Sequence, residues 1–194
     1  MNKNILIILG HPDSGSFCGA LADAYEKGAK ASGHDVRRID LGSLSFDPVL
    51  HKGYAEIQPL EPDLLDAQAA ITRADHLVFV YPIWWGGPPA LLKGFFDRAF
   101  LPGFAFRFRE NSTTSWERLL AKRTARLIVT MDTPPWYYRW VSRMPGHNQM
   151  KRTILGFCGV RPVSITEFGP VKSSNPEQRR KWLDEVSRHG EGCR

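Results

Sequence analysis

Cysteine is scarce: Cys18, Cys158 and Cys193 are the only three, odd in number and far apart. That excludes a disulfide framework and thiolate metal spacing, and leaves reduced structural thiols as the expectation. Long apolar runs are missing too. Nothing approaches the roughly 18 residues of a membrane span. The run near the start, Ile5 to Leu9, lacks a small-residue cleavage site and reads as a buried strand, not a signal peptide. A cytoplasmic protein with no membrane insertion is therefore expected. No internal repeat, low-complexity tract or linker breaks the chain, so one domain over residues 1–194 is expected, with a small insertion at about 101–115. Also absent are the phosphate-loop pattern G-x-x-x-x-G-K-[ST], the G-x-G-x-x-G fingerprint, any Ser/His/Asp order with motif context, and a nucleic-acid recognition motif.

What is present is apolar enough for a sizeable core: 42% of residues are hydrophobic and 11% aromatic. The net charge of +6 is unevenly spread. Residues 1–97 carry 8 Lys/Arg and 12 Asp/Glu, residues 98–161 carry 12 and 3, and residues 162–194 carry 6 and 5. A basic middle suits an anionic ligand such as a phosphorylated dinucleotide, and equally suits a solvated face with no partner.

Short β-rich runs alternate with helical patterns. Asn4–Leu9 reads as a strand covered on both faces. Phe17–Ser32 has Phe17, Leu21, Ala24, Tyr25 and Gly28 at helical spacing, with Gly33 behind it as a C-terminal glycine. Asp35–Leu41 reads as a strand, Gly42–Pro62 as a loop, Asp63–Arg73 as a helix and His76–Tyr81 as a strand. Pro89–Phe100 is a helix with proline in its first turn. Arg126–Met131, Gln149–Cys158, Arg161–Phe168 and Pro176–His189 follow as strand, helix, strand and helix. In the insertion, Phe104, Phe106 and Phe108 alternate with Ala105, Arg107 and Arg109, an extended pattern with one apolar and one basic face. The alternation predicts an α/β flavodoxin-like sandwich: a five-stranded parallel sheet of order 2-1-3-4-5 with helices on both faces.

Ligands of such sheets bind beyond the carboxyl ends of the strands, at the switch point. After the first strand, GHPDSGSFCGAL offers Ser14, Gly15 and Ser16 at a helix N-terminus, either as a phosphate site or as an ordinary cap with Ser16 at N-cap. After the third, YPIWWGGPPALLKGFFDRAF places Trp84 and Trp85 beside two glycines and two prolines. A flat heteroaromatic ring wants an apolar face and fixed backbone groups at its edge, and this bend offers both. One of the two indoles reads equally well as core or subunit interface. After the fourth, TMDTPPWYYRW brings Thr130, Asp132 and Thr133 and a second aromatic group. Asp132 fits a general base or a turn cap. The three loops together describe a site for a phosphorylated planar cofactor, and flavin mononucleotide fits.

HPDSGSF, YPIWWGGPPALLKGFFDRAFLPGFAF and GFCGV resemble the flavodoxin-fold NAD(P)H:quinone oxidoreductases, a family that includes the drug-activity modulators and the ancillary flavoproteins of potassium-efflux systems. The resemblance runs from residue 3 to about 188. It implies a flavoenzyme that passes hydride from NAD(P)H to a quinone or similar aromatic acceptor in ping-pong fashion, as a homodimer. It implies that His11, Ser16, Phe17 and Cys18 form the phosphate-side loop, that Pro82, Ile83, Trp84 and Trp85 line the flavin ring, and that Thr130, Met131, Asp132 and Thr133 supply its other edge. Tyr138 falls where larger members have a catalytic tyrosine, and His147 is a looser match to their catalytic histidine. Phe104 and Phe106 are expected to wall the slot shared by nicotinamide and acceptor. The Thr-Thr-Gly-Gly run of larger members reads Thr130-Met131-Asp132-Thr133 here. With no counterpart to their carboxy-terminal extension, FMN is expected, with FAD as the alternative. Arg107, Arg109 and Arg139 suggest NADPH over NADH by charge. A regulatory flavoprotein docking on a membrane transport system is the rival reading, and a one-electron carrier the third.

Overall fold

A computed structural model describes residues 2–110, 112 and 114–193. Five parallel strands form the central sheet in the order β2-β1-β3-β6-β7. They are β1 (Asn4–Leu9), β2 (Asp35–Asp40), β3 (His76–Pro82), β6 (Thr124–Thr130) and β7 (Val163–Phe168). Two short antiparallel strands, β4 (Phe106–Phe108) and β5 (Trp116–Arg118), make a separate hairpin. With the hairpin set aside, the sheet order is the expected 2-1-3-4-5.

Alternate residues of β1 enter opposite layers, as a pleated strand requires. Ile5, Ile7 and Leu9 pack with Cys18, Leu21, Ala22 and Tyr25 of α1 (Phe17–Ala31) and with Val186 of α7 (Pro176–Glu191). Leu6 and Ile8 join the other layer, with Leu64 and Ile71 of α2 (Pro62–Arg73) and Leu92, Phe95 and Phe96 of α3 (Ala90–Ala99). Each fully buried aliphatic side chain contributes about 1.5–3 kcal/mol. Helices α1 and α7 meet at glycines. A Cβ on Gly28 would lie 2.0 Å from the Ser187 carbonyl oxygen, and one on Gly190 would lie 2.2 Å from that of Tyr25.

The structure departs from the sequence expectations in the connections. The stretch expected as a loop begins with a 3₁₀ turn, Leu41–Ser43. Pro89 caps α3 and does not enter it. The insertion folds into the β4–β5 hairpin. A short helix, α4 (Pro135–Trp140), was not foreseen, because two prolines and four aromatics give no helical period. The helix expected from Gln149 starts earlier, as α5 (Pro145–Asn148), runs through a π-helical stretch at Gln149–Leu155 and ends in α6 (Gly156–Cys158). Such π segments are rare and recur beside functional sites. No helix among the described residues is long and apolar enough to cross a membrane.

Candidate functional site

At the carboxyl ends of β1, β3, β6 and β7 lies a cavity of about 300 Å³. It is lined by His11, Ser16, Phe17 and Cys18 from the first loop, Pro82, Ile83 and Trp84 from the second, Thr130 to Thr133 from the third, and Val171 and Lys172 from a fourth. All but one of the expected flavin-binding residues therefore line one space. The exception is Trp85.

The first loop ends at the N-terminus of α1. The Ser16 hydroxyl caps the helix by accepting from Gly19 N–H at 3.3 Å. The amides of Phe17 and Cys18 lie in the first turn, where no intrahelical acceptor exists, and the helix dipole favours an anion there. Cys18 is buried, its Sγ 3.2 Å from the Thr130 hydroxyl. Burial pushes its thiol up to about 11, so at neutral pH it is a neutral packing group and not a nucleophile.

The second loop is a two-residue turn. Trp84 N–H donates to Gly87 O at 2.9 Å, and Gly87 N–H donates back to Trp84 O at 3.1 Å. Both central residues have positive φ, 51° at Trp85 and 82° at Gly86, as a type I′ turn demands. Glycine takes that conformation freely; for a bulky residue it is strained. The turn separates the indoles. Trp84 faces the cavity and meets the His11 ring edge-on at 5.5 Å, while Trp85 stands wholly in solvent.

The third and fourth loops are tied together. Asp132 accepts from Lys172 N–H at 2.7 Å, and Val171 N–H donates to Met131 O at 3.0 Å. Asp132 thus ties the third loop to the fourth. Val171 and Lys172 were missed because the loop after the edge strand opens on Gly169-Pro170 as an ordinary turn would and carries no aromatic group or motif. Lys172 brings a cation to the cavity wall.

Tyr138 and His147 lie behind the turn and not on the cavity wall. Tyr138 is buried, and its hydroxyl donates to Gly86 O at 2.9 Å and accepts from Gly146 N–H at 2.9 Å. His147 packs edge-on against the Tyr138 ring at 5.0 Å, and its Nε2 is 2.7 Å from Glu167 Oε1. The His147 hydrogen bond holds the Glu167 carboxyl below the usual range, with Arg139 adding to the effect from 3.1 Å. Glu167 escaped the sequence reading because a lone carboxylate at a strand end has no motif.

Phe104 and Phe106 lie elsewhere and do not line this cavity. Phe106 packs on Phe157 at 4.9 Å and lines a second pocket with Phe96 and Phe100, and Phe104 meets Phe100 at 6.3 Å. The apolar face of the hairpin is used to cover α3 and α6.

The cavity suits the flavin expected of it on its own donor set. The first turn of α1 and Lys172 both line it, and amides of a helix start and a cation suit a phosphate. Ile83, Trp84 and Met131 offer apolar surface, and the paired loops present backbone at the edge.

A family model described as a flavodoxin-like fold matches residues 3–189. An uncharacterized NAD(P)H oxidoreductase of Haemophilus influenzae is 28% identical over 189 residues, covering 93% of this chain and 91% of its own. NAD(P)H dehydrogenase (quinone) 1 of Rattus norvegicus is 29% identical over 211 residues, covering 94% of this chain and 74% of its own. The solved structure of an NAD(P)H:quinone oxidoreductase from Methanothermobacter marburgensis matches with a TM-score of 0.84 at 24% identity, covering 100% of both chains, a likeness of fold.

Proposed function

The chain belongs to the flavodoxin-like-fold family, and on that premise we propose that it is a flavin-dependent NAD(P)H oxidoreductase reducing a quinone or similar flat aromatic acceptor. The observation that carries this reading is the convergence of four post-strand loops on one cavity, lined by the first turn of a helix, a lysine, an indole, an isoleucine and a methionine. The names of the two curated relatives agree with it.

A bound flavin supplies the hydride chemistry. The residues of this chain bind and orient it. The Phe17 and Cys18 amides, Ser16 and Lys172 hold the phosphate; Pro82, Ile83 and Trp84 support the ring; Thr130 to Thr133 meet its other edge. Tyr138 and His147 act as positioning residues, fixing the carbonyl of Gly86 and so the bend that carries Trp84. The reaction balances as a ping-pong exchange. NAD(P)H gives up two electrons and one proton as hydride, solvent supplies a second proton, and the quinone leaves as hydroquinone. The protein works as a cytoplasmic homodimer, a state that sedimentation of the purified protein tests.

FMN is the proposed cofactor. One feature favours FAD as a second reading. A shelf beyond Phe17, lined by Ser174, Arg179, Arg180 and Leu183, adjoins the cavity, and Arg179 lies over the Phe17 ring at 5.4 Å. The test is direct. Purified protein should be yellow, and the chromophore released by denaturation should have the mass of FMN. A mass of FAD selects the second reading. Colourless protein that neither nucleotide reconstitutes overturns both.

A further inference from the structure

Helix α4 has two faces of opposite use. Tyr138 points inward and is 2% exposed, whereas Trp136 is 63% and Trp140 77% exposed. Trp136 and Trp140 are four residues apart, as are Tyr137 and Val141, so the four share one outward stripe. Tyr137 and Val141 are also exposed, and Trp136 meets Tyr137 at 5.7 Å. A stripe of this kind is expensive to leave in water.

The cations nearest the stripe in sequence are Arg139 and Arg143. Residues 133–166 contain no Asp or Glu, but contain Arg139, Arg143, Lys151, Arg152 and Arg161. Arg143 is exposed just after α4, and Arg139 is half-exposed while it reaches Glu167, whereas Lys151, Arg152 and Arg161 line a separate pocket at the amino end of β7. Indole and phenol rings flanked by arginine are what the interface of an anionic bilayer selects. The rings sit at headgroup level, and the cations meet lipid phosphate.

The stripe also stands at the rim of the cofactor cavity. Asp132 and Thr133 line that cavity, and α4 begins at Pro135. The Tyr138 hydroxyl anchors α4 to Gly86 of the turn that carries Trp84 into the cavity and Trp85 into solvent. A surface resting on the α4 stripe would therefore lie beside the cavity mouth.

We propose that the Trp136–Trp140 face of α4, with Arg139 and Arg143 beside it, docks this protein peripherally on anionic phospholipid membrane, so that an acceptor dissolved in the bilayer meets the cavity at its rim. The acceptor half of this statement rests on the oxidoreductase reading; the docking half stands without it.

The test is flotation of the full-length protein with vesicles of equal parts phosphatidylglycerol and phosphatidylcholine, against pure phosphatidylcholine. The wild type should float with the first and not with the second. Arg143→Ala should lower the bound-to-free ratio about fivefold, the worth of one cation near an anionic surface. Trp136→Ser with Trp140→Ser should remove the part of the binding that survives high salt, with unchanged melting temperature and chromophore content. Failure of the wild type to float, or flotation of the double variant equal to wild type in high salt, overturns the proposal. So does a wild-type dimer that becomes monomer in the double variant and never floats, since a second copy then covers the stripe. Colourless protein that floats supports docking and defeats the flavin reading alone.

Discussion

The hydroxyl of Tyr138 and the carbonyl of Gly86 are joined at 2.9 Å, and Gly146 N–H donates to both. The turn after β3 is thereby pinned to α4, 52 residues later, and to the start of α5. Removing the hydroxyl in Tyr138→Phe should cost about 1 kcal/mol of stability. As a positioning change it should also weaken flavin retention several-fold, with hydride transfer per bound flavin near that of the wild type. Full retention of flavin with loss of turnover alone would instead give Tyr138 a proton-transfer role.

The two adjacent indoles should behave oppositely. Trp84→Ala removes a cavity wall and should strip the flavin, read by quenching of its fluorescence on titration. Trp85→Gly relieves a bulky residue of positive φ and should raise stability by about 1 kcal/mol without loss of flavin. Loss of flavin in the Trp85 variant would show that its indole reaches the ring.

All three thiols are buried. Burial raises Cys18 to about 11 and Cys158 to about 12. Native protein should therefore release almost no colour from a thiol reagent at pH 8, and three equivalents after denaturation. Rapid native labelling of Cys18 would contradict the packing described.

His76 is buried, with Nδ1 2.6 Å from the Thr124 hydroxyl, and desolvation lowers its pKa from 6.5 to about 4. The unfolded chain takes up this proton before the folded one does. The folded state therefore suffers no penalty above pH 6.5 and loses stability as pH falls from 6.5 towards 4, by about 3 kcal/mol in all. Melting temperature should drop across this window, and His76→Asn should flatten the drop. Parallel curves would mean that His76 is protonated without cost.

The sequence alone determined the layers and pointed to the strand-end cavity. Strand and helix periods are local properties, so Ile5 to Leu9 and the helical spacing from Phe17 onward were legible without neighbours. The rule that ligands sit beyond strand ends then pointed to His11, Ser16, Trp84 and Thr130. Tertiary structure decided which way side chains point where the period breaks. Trp84 and Trp85 are adjacent and chemically identical, yet two positive φ angles send one inward and the other out. Phe106 alternates as a wall residue would, but Phe157, 51 positions later, claims its ring. Lys172 enters the cavity because Asp132, 40 residues earlier, holds its amide. Glu167 matters because His147, 20 residues away, lies against it. Contacts of this reach depend on how separate loops meet at the sheet edge, and no local pattern encodes that meeting.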